Sequence, residues 1–172
     1  IAIDSNDHIY VSDTYKRRIQ KFDSDGNFLR MWGKGVNGGA NFEICTVAAD
    51  CKNGLSGTKG GEFNSGIGLL VVDSDDNVYV ADSSNRRIQK FDSDGNFLRM
   101  WGGRVNGGTE HEICTVAANC QSGWYGSKGG EFQSPWGMLV DSTDDVYVTD
   151  SSAERIQKFD SDGNFIWAWG SG

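Results

Sequence analysis

The sequence is poor in the groups from which most polar chemistry is built. It has 2 histidines, His8 and His111, at unrelated positions, and no Ser-His-Asp set, phosphate loop or histidine metal cluster can be placed in it. Cations are in deficit, with 16 Lys and Arg against 24 Asp and Glu, a net charge of −8. A phosphate-binding surface needs clustered Lys and Arg to release counterions, so nucleic acid is not an expected partner. No apolar run approaches the ~18 residues of a spanning helix, so no membrane span is expected. A secretory leader is not visible either, and the chain opens on Ile1. The segment reads as a mature form or as a window of a longer chain. Proline occurs once.

Glycine, by contrast, occurs 24 times, and aromatics make up 12 % of the chain, too many for a disordered segment. Many glycines and aromatics with few helix formers point to all-β structure rich in turns. Internal repetition is the main signal. The run Lys21 to Gly33 recurs letter for letter at Lys90 to Gly102, 69 residues on. It returns at Lys158 to Gly170 with an altered end, Phe165-Ile166-Trp167-Ala168-Trp169-Gly170. The second unit holds four strand candidates: Leu70 to Asp73, Asn77 to Asp82, Arg87 to Asp92 and Phe97 to Trp101. Each is rich in β-branched or aromatic residues and bounded by Asp, Ser, Asn or Gly. Ser93-Asp94-Gly95-Asn96 is a natural hairpin turn, because Gly and Asn tolerate positive φ. The gaps are too short for crossover helices, so neighbouring strands should be antiparallel. Four such strands per repeat predict propeller blades, at about 1–33, 69–102 and 138–170 of a single segment 1–172. Insertions of about 34–68 and 103–137 separate them.

Val71-Val72-Asp73, Asn77-Val78-Tyr79-Val80-Ala81-Asp82 and Arg87-Ile88-Gln89-Lys90-Phe91-Asp92, with the lead-in Gly130-Glu131-Phe132-Gln133-Ser134-Pro135-Trp136-Gly137, resemble the NHL repeat. The resemblance covers all three units and implies a β-propeller, in a family whose rings usually have about six blades. Three four-stranded antiparallel blades would then be half of a six-bladed ring or a stretch of a longer propeller. They would leave two apolar blade faces in water unless two copies pair or further blades follow. The first unit lacks its Gly-Glu-Phe lead-in, which favours the longer chain. Relatives include extracellular binding modules, RNA-binding domains, and more distant six-bladed hydrolases and lyases.

Both insertions carry Val-Asn-Gly-Gly, then Glu-Ile-Cys-Thr-Val-Ala-Ala, then a second cysteine, and resemble those of bacterial extracellular NHL-repeat proteins. Cys45 with Cys51 and Cys114 with Cys120 share one spacing, which favours two local disulfides over crossed pairs. A thiolate metal site is the competing reading. It lacks ligands, because zinc wants four and His111 is matched by Phe42 in the first copy. Disulfides imply an oxidising, extracellular or cell-surface location.

Parity separates two faces. The insertions and the links between second and third strands (Thr14 to Arg17, Ser83 to Arg86, Ser151 to Glu154) should share one face. The Asp-rich turns should occupy the other. The insertion face is the expected partner surface, carried by Trp124, Tyr125, Lys16, Arg17 and Arg86, since loops on a rigid scaffold carry function. Trp124 lies outside the repeated tryptophan ladder of Trp32, Trp101 and Trp169, which should pack between blades. No cofactor is expected beyond weak calcium. Asp23 and Asp25, Asp92 and Asp94, and Asp160 and Asp162 begin like a calcium loop, but the sixth position is not glycine and the twelfth not acidic, so polar hairpin turns are expected. The recurring pairs Asp13–Arg18, Asp82–Arg87 and Asp150–Arg155 read as scaffold, because a catalytic centre needs different residues converging on one pocket.

The expectation for function is a secreted binding or scaffold module for protein or glycan partners, with no catalytic residue in this segment. Two alternatives stand beside it. One is a propeller hydrolase or lyase whose channel metal is completed by further blades. The other is a structural unit of an extracellular homo-oligomer.

Overall fold

The computed structural model describes residues 1–170, in strands, loops and three short 3-10 turns. The first sheet contains β1 (Ala2–Ile3), β2 (Ile9–Asp13), β3 (Arg18–Phe22), β4 (Phe28–Lys34) and β5 (Phe42–Cys45), ordered as in the chain. The second contains β6 (Ile67–Val72), β7 (Val78–Asp82), β8 (Arg87–Phe91), β9 (Phe97–Gly103) and β10 (His111–Cys114). The third has four strands, β11 (Pro135–Val140), β12 (Val146–Asp150), β13 (Arg155–Phe159) and β14 (Phe165–Gly170). All pairings among these strands are antiparallel and link sequence neighbours. These are three β-propeller blades.

Two sheets gain a fifth strand from the insertions, read from the sequence as loop. Ile44 lies opposite Trp32, and Ile113 opposite Trp101. β5 and β10 thereby cover backbone groups of β4 and β9 that would otherwise form an open edge.

The sheets stack face to face, and strand parity decides which side chain enters which core. Tyr10, Ile19 and Trp32 of the first blade meet Phe63, Leu70, Val78 and Phe91 of the second. Tyr79, Ile88 and Trp101 of the second meet Phe132, Val146, Val148 and Phe159 of the third. Both faces of the middle blade are thus consumed, and every residue of β7 and β8 is buried. Each such apolar side chain contributes about 1.5–3 kcal/mol of burial. The close approach of blades requires glycine at one point. A Cβ on Gly95 would lie 2.7 Å from the Trp32 ring, and one on Gly163 would lie 2.7 Å from Trp101.

Asp82 and Arg87 do more than fix their link. Arg87 Nε donates to Asp82 Oδ2 at 2.8 Å, with both side chains inaccessible to solvent. The remaining guanidinium nitrogens donate to the carbonyls of Thr58, Lys59 (3.0 Å), Glu62 (2.8 Å) and Gln121 (3.1 Å). Gln89 adds to this clamp: its amide donates to the Glu62 carbonyl, and its oxygen accepts from the Gly61 N–H. One fork therefore ties the preceding insertion, its own blade and the following insertion together. Arg155 and Gln157 repeat the arrangement on Lys128, Glu131 and Gly130. Among the described residues, Arg18 holds only Asp13, the Met31 sulfur and the Lys52 carbonyl.

Candidate functional site

The two faces separate as parity requires. Gly54 N–H donates to the Lys16 carbonyl at 2.8 Å, and Gly123 N–H to the Asn85 carbonyl at 2.7 Å. Each insertion therefore lies on the link between second and third strands. Gly54 and Gly123 are needed there, because a Cβ would collide with the carbonyls of Arg17 and Arg86. Those arginines cap the 3-10 turns in the left-handed region, at φ 53° and 51°.

Disulfides join Cys45 to Cys51 and Cys114 to Cys120. The half-cystines pack against Met31 and Val36 in the first insertion and against Met100 and Val105 in the second. Each bridge anchors a loop to the outer edge of its blade. All four cysteines are consumed in this way.

On this face Trp124 and Tyr125 stand out from the surface, 58 % and 63 % exposed. Arg104 lies over the Trp124 ring at 4.5 Å and Arg86 over the Tyr125 ring at 6.0 Å. Tyr125 Oη donates to Gln133 Oε1 at 2.6 Å, and the Trp124 backbone N–H donates to the Gly103 carbonyl at 2.8 Å. Two consecutive exposed aromatic rings thus each carry a guanidinium group. The structure brings Trp124, Tyr125 and Arg86 together. Lys16 and Arg17 belong to the neighbouring blade's link, beside the first insertion.

Arg104 was not singled out from the sequence, although a signal for it exists. The first insertion has Gly35 at that position, Leu55 for Trp124, Ser56 for Tyr125 and Asn64 for Gln133. These four are among fourteen positions at which the two insertions differ, and they meet in two pairs, Arg104 with Trp124 and Tyr125 with Gln133. Arg104 keeps the left-handed backbone of its glycine counterpart, at φ 59° against 69°, which few side chains adopt without reason. A cleft of about 260 Å³ lies between Phe42 and Lys59 of the first insertion and Ala117 of the second.

The opposite face is acidic in sequence, yet its carboxylates are engaged in the scaffold. Asp23 accepts the N–H groups of Asp25 and Asn27 and the Asn27 amide, which hold its pKa down; Asp92 makes the same bonds to Asp94 and Asn96. Asp160 does likewise with Asp162 and Asn164; burial would raise its pKa, but the hydrogen bonds lower it on balance. Asp94 pairs with Arg30 at 2.8 Å and Asp162 with Arg99 at 2.6 Å, each joining one blade to the next. Ser5 donates to Asp76, and Ser74 to Asp144, across the same seams. The calcium candidates thus lie in Asx-type turns and seams. Among the described residues, no group of three or more His, Cys, Asp or Glu side chains is arranged to hold a metal ion.

A trio recurs in each blade: Asp4, Tyr10 and Lys21, then Asp73, Tyr79 and Lys90, then Asp141, Tyr147 and Lys158. Burial would raise the Asp4 and Asp73 carboxyls. Hydrogen bonds from backbone and side chains, with Lys90 beside Asp73, outweigh it and hold both below the ordinary carboxylate range. Burial and the facing carboxylate push Tyr10 and Tyr79 well above the usual phenol range. Recurrence in every blade marks the trio as architecture. His111, the counterpart of Phe42, tilts against Phe159 with its ring nitrogens 3.1 Å from the carbonyls of Gly130 and Gly163, and burial lowers its pKa.

Comparison with known proteins agrees with this architecture. The NHL-repeat family model matches residues 1–22, 70–91 and 132–159. NHL repeat-containing protein 3 of Mus musculus is 24 % identical over 200 residues, covering 98 % of this chain and 54 % of that protein. Protein lin-41 of Caenorhabditis elegans is 46 % identical over 55 residues, 32 % of this chain and 5 % of the relative. The chain therefore spans about half the length of the mouse relative and a small part of the nematode one. A streptogramin B lyase structure shares the fold at a TM-score of 0.50 and 12 % identity, covering 99 % of this chain and 39 % of that one.

Proposed function

From a chain that belongs to the NHL-repeat family, we propose that its blades serve as a rigid mount for a partner-binding surface on the insertion face. The protein is an extracellular binding or scaffold module, and Trp124, Tyr125, Arg104 and Arg86 are its contact centre. One observation carries this reading: four of the fourteen positions where the second insertion departs from the first, Arg104, Trp124, Tyr125 and Gln133, place two exposed rings against guanidinium groups, where the first insertion has Gly35, Leu55, Ser56 and Asn64. Repeated residues answer the needs of every blade. Residues that break the repeat and meet in space answer a need of one place.

The composition favours a protein partner over a glycan. Trp, Tyr and Arg are the residues enriched where binding energy concentrates at protein interfaces. Contact of Arg104 with the Trp124 ring and the bond from Tyr125 to Gln133 lower the entropy lost on binding. Two disulfides that staple the insertions support an oxidising location. The two guanidinium groups also give a local positive spot on a chain of net charge −8, which suits a partner with an acidic or aromatic surface.

The test is paired substitution within the repeat. Immobilised Trp124→Ala and Leu55→Ala chains are compared with wild type for capture from the extracellular fluid of the source and on a glycan array. The reading expects Trp124→Ala to lose capture on the order of 30-fold, as for a hot spot of ~2 kcal/mol. Leu55→Ala, the same position in the first insertion, retains it. Undiminished capture by Trp124→Ala removes these rings from the binding surface. Retention on the array alone makes the partner a glycan.

A further inference from the structure

The seam between the first and second blades is complete within the chain, and the two insertions meet over it. Gly60 N–H donates to the Ala117 carbonyl at 2.9 Å. A side chain has no room there, since a Cβ on Gly60 would lie 2.6 Å from Ala117 Cα and 2.9 Å from the Phe97 ring. Beside this contact opens the cleft of about 260 Å³. Phe42 of the first insertion and Ala117 and Ala118 of the second form its apolar walls, and Asn41, Lys59 and Glu62 supply its polar lining. Phe42 is anchored on Phe91, with ring centroids 6.3 Å apart, and stays part-exposed. A concave, mostly apolar cleft with a few polar groups is the usual form of a small-molecule site, and this one lies just below the usual range of ~300–1,000 Å³.

The charges on the cleft do not cancel. Glu62 is buried and already engaged: its carboxylate accepts the N–H groups of Thr58 and Lys59 and pairs with Lys34 at 3.4 Å. Lys34 thereby neutralises it. Among the described residues, the Lys59 ammonium and the Asn41 side-chain amide have no hydrogen-bond or ion-pair partner. The second insertion shows what is missing. There Lys128, the counterpart of Lys59, pairs with Glu110 at 2.7 Å. Asn41 stands at the position of Glu110, and Asn119, next to Ala118, stands at the position of Asp50. Each segment that forms a wall of the cleft thus lacks the carboxylate that its other copy carries, while the lysine keeps its charge.

We propose that this cleft binds a small organic monocarboxylate with a flat apolar body, a ligand of the size of benzoate. Its carboxylate takes the place of the missing glutamate and accepts from Lys59 and Asn41. Its flat body lies against Phe42, Ala117 and Ala118. A phosphate dianion fits less well, because a single unpaired ammonium faces it and the Glu62 carboxylate repels it. The Gly60 contact sets the walls before the ligand arrives, which lowers the cost of ordering them. Trp124 and Tyr125 do not line the cleft, so this ligand is additional to the partner of the insertion face.

Benzoate is titrated against the isotope-labelled 172-residue chain and followed by amide NMR, with benzamide and inorganic phosphate as comparison probes. Saturable shifts are expected at the amides of Lys59, Gly60 and Ala117, with a Kd on the order of 1 mM for so small a ligand. Benzamide, similar in shape and uncharged, binds on the order of 10-fold more weakly. Lys59→Gln weakens benzoate on the order of 10-fold by removing the charge. Asn41→Glu does the same by closing the ammonium on an internal carboxylate, as in the other copy. Both positions are exposed, and unchanged amide spectra away from the cleft verify that the variants are folded. Lys128→Gln binds benzoate as wild type does. Absence of saturable shifts overturns the site. Benzamide binding as tightly as benzoate, or undiminished binding by Lys59→Gln and Asn41→Glu, overturns recognition of a carboxylate, and so does phosphate binding as tightly as benzoate.

Discussion

Replacing Arg87 by alanine removes the centre of the clamp that holds the insertions to the second blade. The deleted guanidinium leaves Asp82 in a fully buried site with Asn85 at 2.9 Å and Gln89 at 3.0 Å as its remaining donors. It also leaves the carbonyls of Thr58, Lys59 and Gln121 without that donor. Breaking one partner of a buried ion pair costs about 3–5 kcal/mol, because the other charge stays buried. Burial already raises the Asp82 carboxyl and lowers the Arg87 guanidinium, while each partner opposes that shift in the other. Proton uptake by Asp82 in the variant therefore keeps the loss near the lower end. For a chain of this size the loss lowers the melting temperature by roughly 6–20 °C, at 2–4 °C per kcal/mol. Arg18→Ala, the same substitution one blade earlier, touches a pair that solvent reaches, with the guanidinium 11 % and the carboxylate 21 % exposed. Its loss should be about 1 kcal/mol or less. Arg155→Ala should fall between them, since Arg155 keeps its carbonyl contacts but stands 3.7 Å from Asp150. Thermal and urea denaturation of the three variants, followed by circular dichroism and tryptophan fluorescence, measures the order. Equal losses at Arg18 and Arg87 would refute the view that the fork acts by clamping the insertions.

The disulfides and the buried carboxylates give further tests. Cys45→Ser with Cys51→Ser should lower stability by roughly 2 kcal/mol through loop entropy, leave the β-sheet signal intact and speed proteolysis at Lys52; unchanged proteolysis would show that the loop is held by packing alone. Asp4 and Asp73 have pKa values held below the ordinary carboxylate range, so the unfolded chain binds more protons than the folded one as acid is added. The stability they contribute is present above about pH 4 and is lost as pH falls through their folded values. The urea midpoint should decline on that limb, and Asp73→Asn should flatten it.

The chain's repetition made the blades legible, because strand alternation and Asp-Gly turns are local signals repeated three times. Even the sharing of one face by insertions and links followed from parity alone. The fifth strands were not legible. Phe42 to Cys45 is four residues without clear alternation, and its strand state comes from the open edge of β4, which is not local. The acidic turns looked like a charged surface, whereas Asp94 and Asp162 are spent on arginines about 64 residues earlier in the chain. Trp124 stands out in the sequence because it lies outside the repeated tryptophan ladder. Arg104 escaped because its meaning depends on a ring 20 positions away and on a backbone conformation inherited from a glycine.

The letter-for-letter identity of β3 with β8, and of the hairpins that follow, has a kinetic consequence. A strand that is interchangeable with another carries no address of its own, so a nascent chain could thread β8 into the sheet begun by β2. What opposes this is distance along the chain. The link from β2 to β3 spans only the 3-10 turn and its cap, so the correct closure is entropically cheaper and faster than one across an entire unit. Refolding yield should therefore depend on how quickly hairpins zip relative to chain encounter, and crowding several copies during renaturation should generate strand-exchanged species before it generates amorphous precipitate.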